Sequence, residues 1–204
     1  MKRYVLTLLV CIALTSLTPL VAQDITITNA RIVVANGTVI DRGSIVVRGG
    51  KIVSVAAGAP SASSGMTIDA KGMSAMPGFI DAHRHINTGP NEKAQMQAQL
   101  EAGYTTILSG GGPAEGNITL RDHIEKGQIN GPRIIPSGSL RLGNNMTPEA
   151  ARAEIRKMAE MGIKFTGEIA LTPVPGPSEK ELEILRAIVD EAKKAGVTVQ
   201  VHAL

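Results

Sequence analysis

Strand-like and helix-like segments alternate along residues 79–202, and this alternation constrains the fold more than any other feature of the sequence. Five strands are predicted, at residues 79–82, 104–108, 133–136, 164–171 and 197–201, and segments with helical apolar spacing or helix-ending glycines separate them. Parallel neighbouring strands need a long crossover, usually a helix, between them. The order therefore predicts an α/β fold with a parallel sheet.

The preceding residues, 24–70, carry a different pattern of short strands joined by turns. Ile25-Thr-Ile-Thr alternates, and Arg31-Ile-Val-Val is β-branched. Gly49-Gly50 separates two further strand-like runs, at 44–48 and 51–55, which predicts a hairpin. We therefore predict a separate β-region at 23–76, ahead of the α/β region at 77–204.

The first 22 residues are predicted to be a secretory signal peptide. Met1-Lys-Arg precedes an apolar run, and Leu20-Val-Ala22 offers a small-residue cleavage site. The apolar run is shorter than the ~20 residues of a membrane span. We expect a secreted or periplasmic protein with no membrane association after cleavage, and without cysteine, because Cys11 is the only one.

The charge pattern argues against a nucleic-acid partner. The chain has 21 Lys and Arg against 18 Asp and Glu, and aromatic residues make up 2% of it. Nucleic-acid sites combine a basic patch with stacking aromatic side chains, and no such cluster is present. We therefore expect a small-molecule partner.

Two histidines follow the first predicted strand of the α/β region. The sequence Pro77-Gly-Phe-Ile-Asp-Ala-His-Arg-His85 places His83 and His85 two residues apart. Alternate strand residues share a face, so the imidazoles lie about 6.6 Å apart along the strand and can bind one divalent cation. Asp81 lies deeper on the same face, where it could orient a ligand. Arg84 and Asn87 flank the histidines and are candidates for substrate contact.

The sequence PGFIDAHRH resembles the first-strand signature of the amidohydrolase superfamily, metal-dependent hydrolases built on a (β/α)8 barrel. Phe165-Thr-Gly-Glu-Ile-Ala-Leu, Ala102-Gly-Tyr-Thr-Thr-Ile-Leu-Ser and Val199-Gln-Val-His202 resemble the enamidase and imidazolonepropionase-like branch. The resemblance implies an incomplete TIM-type barrel of about strands 1–5 at 77–204, after the N-terminal part of a small β-sandwich at 23–76. A closed barrel takes about 250 residues, so we expect the N-terminal part of a longer protein.

The resemblance implies a metal site formed by His83, His85, Glu168 and His202. Glu168 would bridge two metal ions. Lys164 is the alternative bridge, because most binuclear members of the superfamily use a carboxylated lysine on this strand. The two residues are four apart and face the same side of an ideal strand, so spacing alone cannot choose between them. The expected cofactor is one or two divalent ions, Zn²⁺ first, although Fe²⁺ or Mn²⁺ would suit the same ligands.

The resemblance implies hydrolysis of a C–N bond in a small amide, cyclic amide or lactam-like substrate by a metal-activated hydroxide. The general acid/base, an aspartate after strand eight, is expected beyond Leu204, so no catalytic residue is identifiable in this chain. We therefore expect the parent protein to be the enzyme and the isolated fragment to be inactive. The alternative is an inactive or noncatalytic half-barrel that binds metal weakly or needs a second chain. Unpaired edge strands near Ile80 and Val201 would then favour a homo-oligomer.

Three other motifs point to no additional chemistry. Ser109-Gly-Gly-Gly112 lacks the Lys-Ser/Thr of a phosphate-binding loop and is predicted to let backbone approach a substrate. Asn117-Ile-Thr matches the N-glycosylation pattern, which would matter only in a eukaryotic host. His123 is predicted to lie on a helix surface.

Overall fold

The computed structural model describes residues 24–202, apart from residues 64, 87 and 144. The predicted signal peptide with Cys11, and the candidate contact residue Asn87, lie outside the described residues. The chain divides into two compact units between Pro77 and Gly78. No described helix is long and apolar enough to cross a membrane.

The first unit contains a five-stranded sheet with the order β3-β2-β1-β4, in which β5 also pairs with β1. Its strands are β1 (Ile25–Val33), β2 (Val39–Arg48), β3 (Lys51–Ala57), β4 (Met66–Asp69) and β5 (Ser74–Ala75). β1 is antiparallel to β2 and parallel to β4 and β5. The described part of residues 24–77 forms no second sheet, so the β-sandwich stays a prediction.

The hairpin between β2 and β3 is confirmed. Arg48 pairs with Lys51, and φ is 55° at Gly49 and 74° at Gly50. Positive φ at both central residues is the requirement of a type I′ turn, which glycine meets without steric cost. The two strands predicted at 25–28 and 31–34 form one strand instead, because the chain continues through Asn29 at a φ of 52° with a shift of register.

The second unit confirms the predicted alternation of strands and helices. Its elements are β6 (Phe79–Arg84), α1 (Glu92–Glu101), β7 (Tyr104–Ser109), α2 (Ala114–Glu125), β8 (Arg133–Ile135), β9 (Ser137–Gly138), α3 (Pro148–Glu160), β10 (Phe165–Ala170), α4 (Glu179–Ala195) and β11 (Thr198–His202). The strands form two three-stranded sheets, β6-β7-β8 and β9-β10-β11, and all their pairs are parallel. The described residues form no closed barrel, so the predicted fold class is confirmed only as a mixed α/β fold with parallel strands.

The predicted third strand is divided at Pro136. Residues 133–135 pair with β7, whereas residues 137–138 pair with β10. Proline has no backbone N–H and therefore cannot donate a hydrogen bond to a ladder. The two short strands β8 and β9 thus belong to different sheets, and Pro136 lies between them.

Sequence-encoded caps fix the helix starts. The Thr147 side chain accepts a hydrogen bond from the N–H of Ala150, and Pro148 occupies the first helical position. Ser178 and Glu181 form a capping box at the start of α4. These caps satisfy N–H groups that have no partner within the helix.

Helix α2 begins at Ala114. Its first turns contain Gly116 and Asn117, which are poor helix formers, so the sequence signal there is weak. Asn117 is nevertheless fully buried and forms hydrogen bonds outside the helix. Tertiary contacts therefore extend this helix beyond its intrinsic propensity.

Two apolar clusters hold the second unit together. Ile155 of α3, Ile169 of β10 and Ile188 of α4 are fully buried in the larger cluster. Met96, Ile107 and others form the smaller cluster around α1, β7 and α2. A fully buried side chain of this kind contributes about 1.5–3 kcal/mol. The clusters fix the strands whose carboxyl ends carry the predicted ligands.

Candidate metal centre

The four predicted ligands lie at the carboxyl ends of three strands. His83 is in β6 with His85 directly after the strand, Glu168 is in β10, and His202 ends β11. Carboxyl ends of parallel strands lie at one edge of a sheet, which is where α/β proteins bind ligands. The structure therefore brings together side chains that are far apart in sequence.

Glu168 is the centre of this group. His83 Nε2 lies 2.8 Å from Oε1 of the carboxylate, and His202 Nδ1 lies 3.1 Å from the same oxygen. His85 Nε2 lies 3.2 Å from Oε2. The rings of His83 and His85 are 5.4 Å apart between centroids. One carboxylate thus contacts three imidazoles and uses both of its oxygens.

These contacts favour the ionised form of Glu168. The hydrogen bond from His202 lowers the pKa of Glu168, and the charges of His83 and His202 and the hydrogen bond from His85 lower it further. Desolvation acts in the opposite direction and is outweighed. A carboxylate that remains ionised is the form that binds a cation.

The donor set fits a divalent metal ion. One ligand atom each from His83, His85 and Glu168 lies within 4.8 Å of the other two. Neutral imidazole and carboxylate are the ligands of many zinc, iron and manganese sites. His202 contacts the carboxylate but is not part of this group of three. The structure thus offers a His-His-Glu site, with a third histidine beside its carboxylate.

Lys164, the alternative bridge, lies before the first residue of β10 and is exposed. Its backbone oxygen accepts a hydrogen bond from Thr198, where β11 begins. Four strand residues span about 13 Å, so Lys164 is attached near the opposite end of the strand from Glu168. The position of Lys164 therefore favours Glu168 as the residue at the metal centre.

Two glycines allow the close packing of this edge. A Cβ on Gly110 would lie 2.7 Å from His83 Nε2, and a Cβ on Gly167 would lie 2.8 Å from the Cα of Gly111. Gly110 also donates a hydrogen bond to the backbone oxygen of Arg84 (2.8 Å) and accepts one from the N–H of Glu168 (2.9 Å). Gly110 thus connects the backbone beside the histidines with the backbone of the glutamate.

The amino-acid sequence of the second unit matches a known protein family. The model of the amidohydrolase family matches residues 74–204. The chain belongs to the amidohydrolase family.

This amidohydrolase chain is similar to a curated enzyme and to solved structures. It is 27% identical to an enamidase from Eubacterium barkeri over 151 residues, 66% of the chain and 37% of the relative. The chain also matches a solved structure from Bifidobacterium longum, which is provisionally assigned as a prolidase. The TM-score is 0.75 and the sequences are 33% identical. The match covers 91% of this chain and 50% of that one.

A second solved structure, of a prolidase complexed with N-methylphosphonate-L-proline, matches with a TM-score of 0.70 and 25% identity. It covers 88% of this chain and 56% of that one. The chain therefore spans about half of these solved relatives, and about a third of the enamidase. The mixed α/β fold described above is similar to theirs.

A cleft of about 500 Å³ opens beside the candidate metal centre. His85, Glu168 and His202 line one part of it, and Ser139, Leu140 and Arg141 line another. Ligand sites generally have volumes of about 300–1,000 Å³, so the cleft is large enough for a small substrate. No ion pair of Arg141 is found among the described residues, so its guanidinium is available to a ligand.

The other predicted residues of the first strand have local partners. Asp81 accepts a hydrogen bond from the N–H of His83 (3.1 Å) and pairs with Arg84 at 3.2 Å. The guanidinium of Arg84 also lies 5.9 Å from the ring centroid of Tyr104. Asp81 therefore stabilises the backbone at the histidines. The predicted substrate contact of Arg84 stays a prediction.

The glycine-rich loop is held by residues to which sequence reasoning gave no role at the site. The buried Asn117 side chain donates to the backbone oxygens of Gly111 (3.0 Å) and Ser137 (2.9 Å). Ser139 Oγ accepts from the N–H of Gly112 at 2.7 Å. The Asn117 side chain, which matches the N-glycosylation pattern, is fully buried and therefore not accessible to glycosylation in the folded chain. The sequence around Asn117 indicates a helix only weakly and does not indicate that its side chain contacts the glycine-rich loop.

Proposed function

We propose that this chain provides the metal-binding part of an amidohydrolase that cleaves C–N bonds in small amides or cyclic amides. The observation that carries the proposal is the convergence of His83, His85 and His202 on the carboxylate of Glu168. Family membership supports the reaction class, and the enamidase and prolidase names of the relatives agree with it. The cleft beside Glu168 supports a small-molecule substrate.

In this proposal His83, His85 and Glu168 hold the metal, and His202 joins as a further ligand if a second ion binds. A bound divalent ion lowers the pKa of water and polarises a substrate carbonyl. Glu168 supplies negative charge at the centre, and its two oxygens suit a bridging role. The nitrogen-rich ligand set favours Zn²⁺, as predicted, although Fe²⁺ and Mn²⁺ accept the same ligands.

The substrate is proposed to carry an acidic group near the bond that is cleaved. Arg141 lines the same cleft as Glu168 and His202 and has no ion-pair partner among the described residues. A guanidinium recognises a carboxylate through paired hydrogen bonds. The proline-containing ligand named for one solved relative carries a free carboxylate of this kind. N-Acyl amino acids and cyclic amides with a carboxylate are therefore the first substrates to test.

Two further parts of the proposal rest on sequence alone. The charged and apolar pattern of residues 1–22 supports secretion or a periplasmic location. The proton-transfer aspartate expected beyond Leu204 stays a prediction. The competing proposal remains an inactive half-barrel that binds metal weakly or needs a second chain.

The test is the metal content of the full chain beside two variants, Glu168→Ala and Lys164→Ala. We expect Glu168→Ala to retain less than about a tenth of the zinc bound by wild type, because the charge and the shared ligand are lost. Lys164→Ala is the matched control on the same strand and should retain wild-type zinc. Elemental analysis after dialysis measures both.

A result in which Lys164→Ala loses its metal and Glu168→Ala keeps it would contradict the assignment of Glu168. Because the proton-transfer aspartate is expected beyond Leu204, hydrolysis of N-acetyl-L-proline and of a carboxylated lactam is tested with the zinc-loaded longer protein to which this chain is proposed to belong. Zinc binding by that longer protein without hydrolysis of either compound would contradict the proposed reaction.

A further inference from the structure

His83 has a second polar contact on the side of its ring away from Glu168. Its Nε2 lies 2.8 Å from the glutamate, while its Nδ1 lies 3.3 Å from Oε1 of Gln200. An amide oxygen can only accept a hydrogen bond, so this contact is made when Nδ1 carries the proton. In neutral imidazole the other nitrogen, Nε2, then has a free lone pair directed towards the metal centre.

Gln200 lies beside Glu168 in the paired strands β10 and β11. Gln200 lies in β11 opposite Glu168 in the register of β10, and its N–H donates to Thr166 Oγ1 at 2.9 Å. Thr166 is fully buried, and Gln200 is half-buried. Gln200 also lies two residues before His202, so both side chains share one face of β11. The amide is therefore supported by the same two strands that hold Glu168 and His202.

We propose that Gln200 is a positioning residue that fixes the Nδ1–H tautomer and the ring orientation of His83. The inference rests on the proposed metal site and adds a residue to it. A histidine that ligates a metal through one nitrogen commonly donates its other N–H to an oxygen, which fixes the ring and increases its basicity. Gln200 provides this oxygen for His83, without contacting the metal itself.

The test compares zinc affinity in the full chain and two variants, Gln200→Leu and Gln200→Glu, by competition with a chromophoric chelator. Loss of such an outer partner typically weakens metal binding by about 10–100-fold, which is the result expected for Gln200→Leu. Gln200→Glu keeps an acceptor oxygen at the same reach and should bind zinc within about threefold of wild type. Rescue by glutamate separates a hydrogen-bonding role from simple packing.

A matched control tests whether a change in the position of strand β11, instead of loss of the Gln200 side chain, weakens zinc binding. Thr166→Val removes the hydroxyl that accepts the Gln200 backbone N–H but leaves the Gln200 side chain intact. It should lower the melting temperature while keeping zinc affinity within about threefold of wild type, because the acceptor for His83 is unchanged. If Thr166→Val weakens zinc binding as much as Gln200→Leu does, strand placement explains the effect and the inference is wrong.

Nitrogen-15 NMR of the zinc-loaded chain gives an independent readout. The His83 ring should carry its proton on Nδ1 in wild type and Gln200→Glu, and that proton should exchange with water faster in Gln200→Leu. A proton on Nε2 in the zinc-loaded wild type would overturn the proposal, because Nδ1 would then be the ligand. The spectrum reports the tautomer whether or not the chain is active.

The outcomes separate this inference from the proposed function. If Glu168→Ala loses zinc while Gln200→Leu binds it as tightly as wild type, only the role of Gln200 fails. If wild type and Glu168→Ala bind zinc equally, the metal site and the role of Gln200 fail together.

Discussion

Among the described residues, one hollow of the first unit and the cleft beside Glu168 in the second unit have similar volumes, but their polar side chains are arranged in opposite ways. The hollow of the first unit, about 450 Å³, is lined by Asn29, Arg42, Asp69 and others. There Asp69 accepts from Asn29, and Arg42 donates to the oxygen of the same asparagine. In the cleft of the second unit, three imidazoles instead contact one carboxylate.

The difference shows how a structural polar cluster differs from a candidate metal site. In the first hollow the amide of Asn29 joins a guanidinium to a carboxylate, so these three side chains have hydrogen-bond partners within the protein. In the cleft, nitrogen ligands surround an ionised carboxylate, and a metal ion would satisfy all of them. The chemistry of the donors, more than the size of the cavity, identifies the functional site.

Besides Glu168→Ala and Gln200→Leu, a large effect in the cleft is expected from Gly110→Ala. A Cβ there would lie 2.7 Å from His83 Nε2, too close for the ring to stay in place. We expect zinc affinity to fall by at least about tenfold, as when a metal ligand loses its orientation. Gly89→Ala is the control, because its Cβ would meet no atom within 4 Å. Unchanged zinc affinity in Gly110→Ala would show that His83 is not a ligand in this orientation.

A smaller effect is expected from His202→Ala. His202 contacts Glu168 but lies outside the His-His-Glu group of three, so that group remains when His202 is removed. Isothermal titration should show zinc binding weakened by up to about tenfold, or one ion lost from a pair. His123→Ala is the control, since His123 pairs with Glu92 instead of Glu168. If His202→Ala lost as much zinc as Glu168→Ala, His202 would have to be a ligand of the same ion as His83, His85 and Glu168.

The smallest effect on zinc is expected from Asp69→Asn, which alters the first hollow instead of the cleft. The N–H of Lys71 and the side chain of Asn29 lower the pKa of Asp69 from its ordinary value of 3.8. A lowered folded-state pKa stabilises the protein above the unfolded-state pKa, and this stabilisation is lost as pH falls through the folded-state value.

Wild type should therefore melt at a higher temperature than Asp69→Asn at pH 7, and the difference should narrow below about pH 4. Zinc affinity should not change. Asp41→Asn, in the same hollow, is the control. A difference in melting temperature that is constant from pH 7 to pH 3 would contradict a role for the Asp69 charge.

Much of the fold and of the candidate metal site could be predicted because it depends on the pattern of neighbouring residues in the sequence. Alternation along a strand placed His83 and His85 on one face, and the strand–helix order predicted the parallel sheets. The resemblance added Glu168 and His202, whose side chains the structure brings to the same edge. Spacing could not decide between Glu168 and Lys164, because residues four apart share a face. Their position along the strand separates them, and that requires the register of β10.

The features that could not be predicted depend on contacts between distant segments. The division of the third strand at Pro136 reflects pairing with two different sheets, which a single strand pattern does not reveal. Asn117 was given no role at the site because its partners, Gly111 and Ser137, are known only from the fold. Gln200 lies within the Val199-Gln-Val-His202 motif, but only its distance from His83 indicates a role for its side chain.

The two backbone hydrogen bonds of Gly110 have a mechanical consequence. This one residue links the end of β6 to β10, across the line where the two sheets meet. The distance between the histidine pair and the carboxylate is therefore set by a short span of main chain, and it depends little on how tightly the sheets pair elsewhere. A substitution that weakens strand pairing away from Gly110 should therefore leave the spacing of the candidate ligands nearly constant.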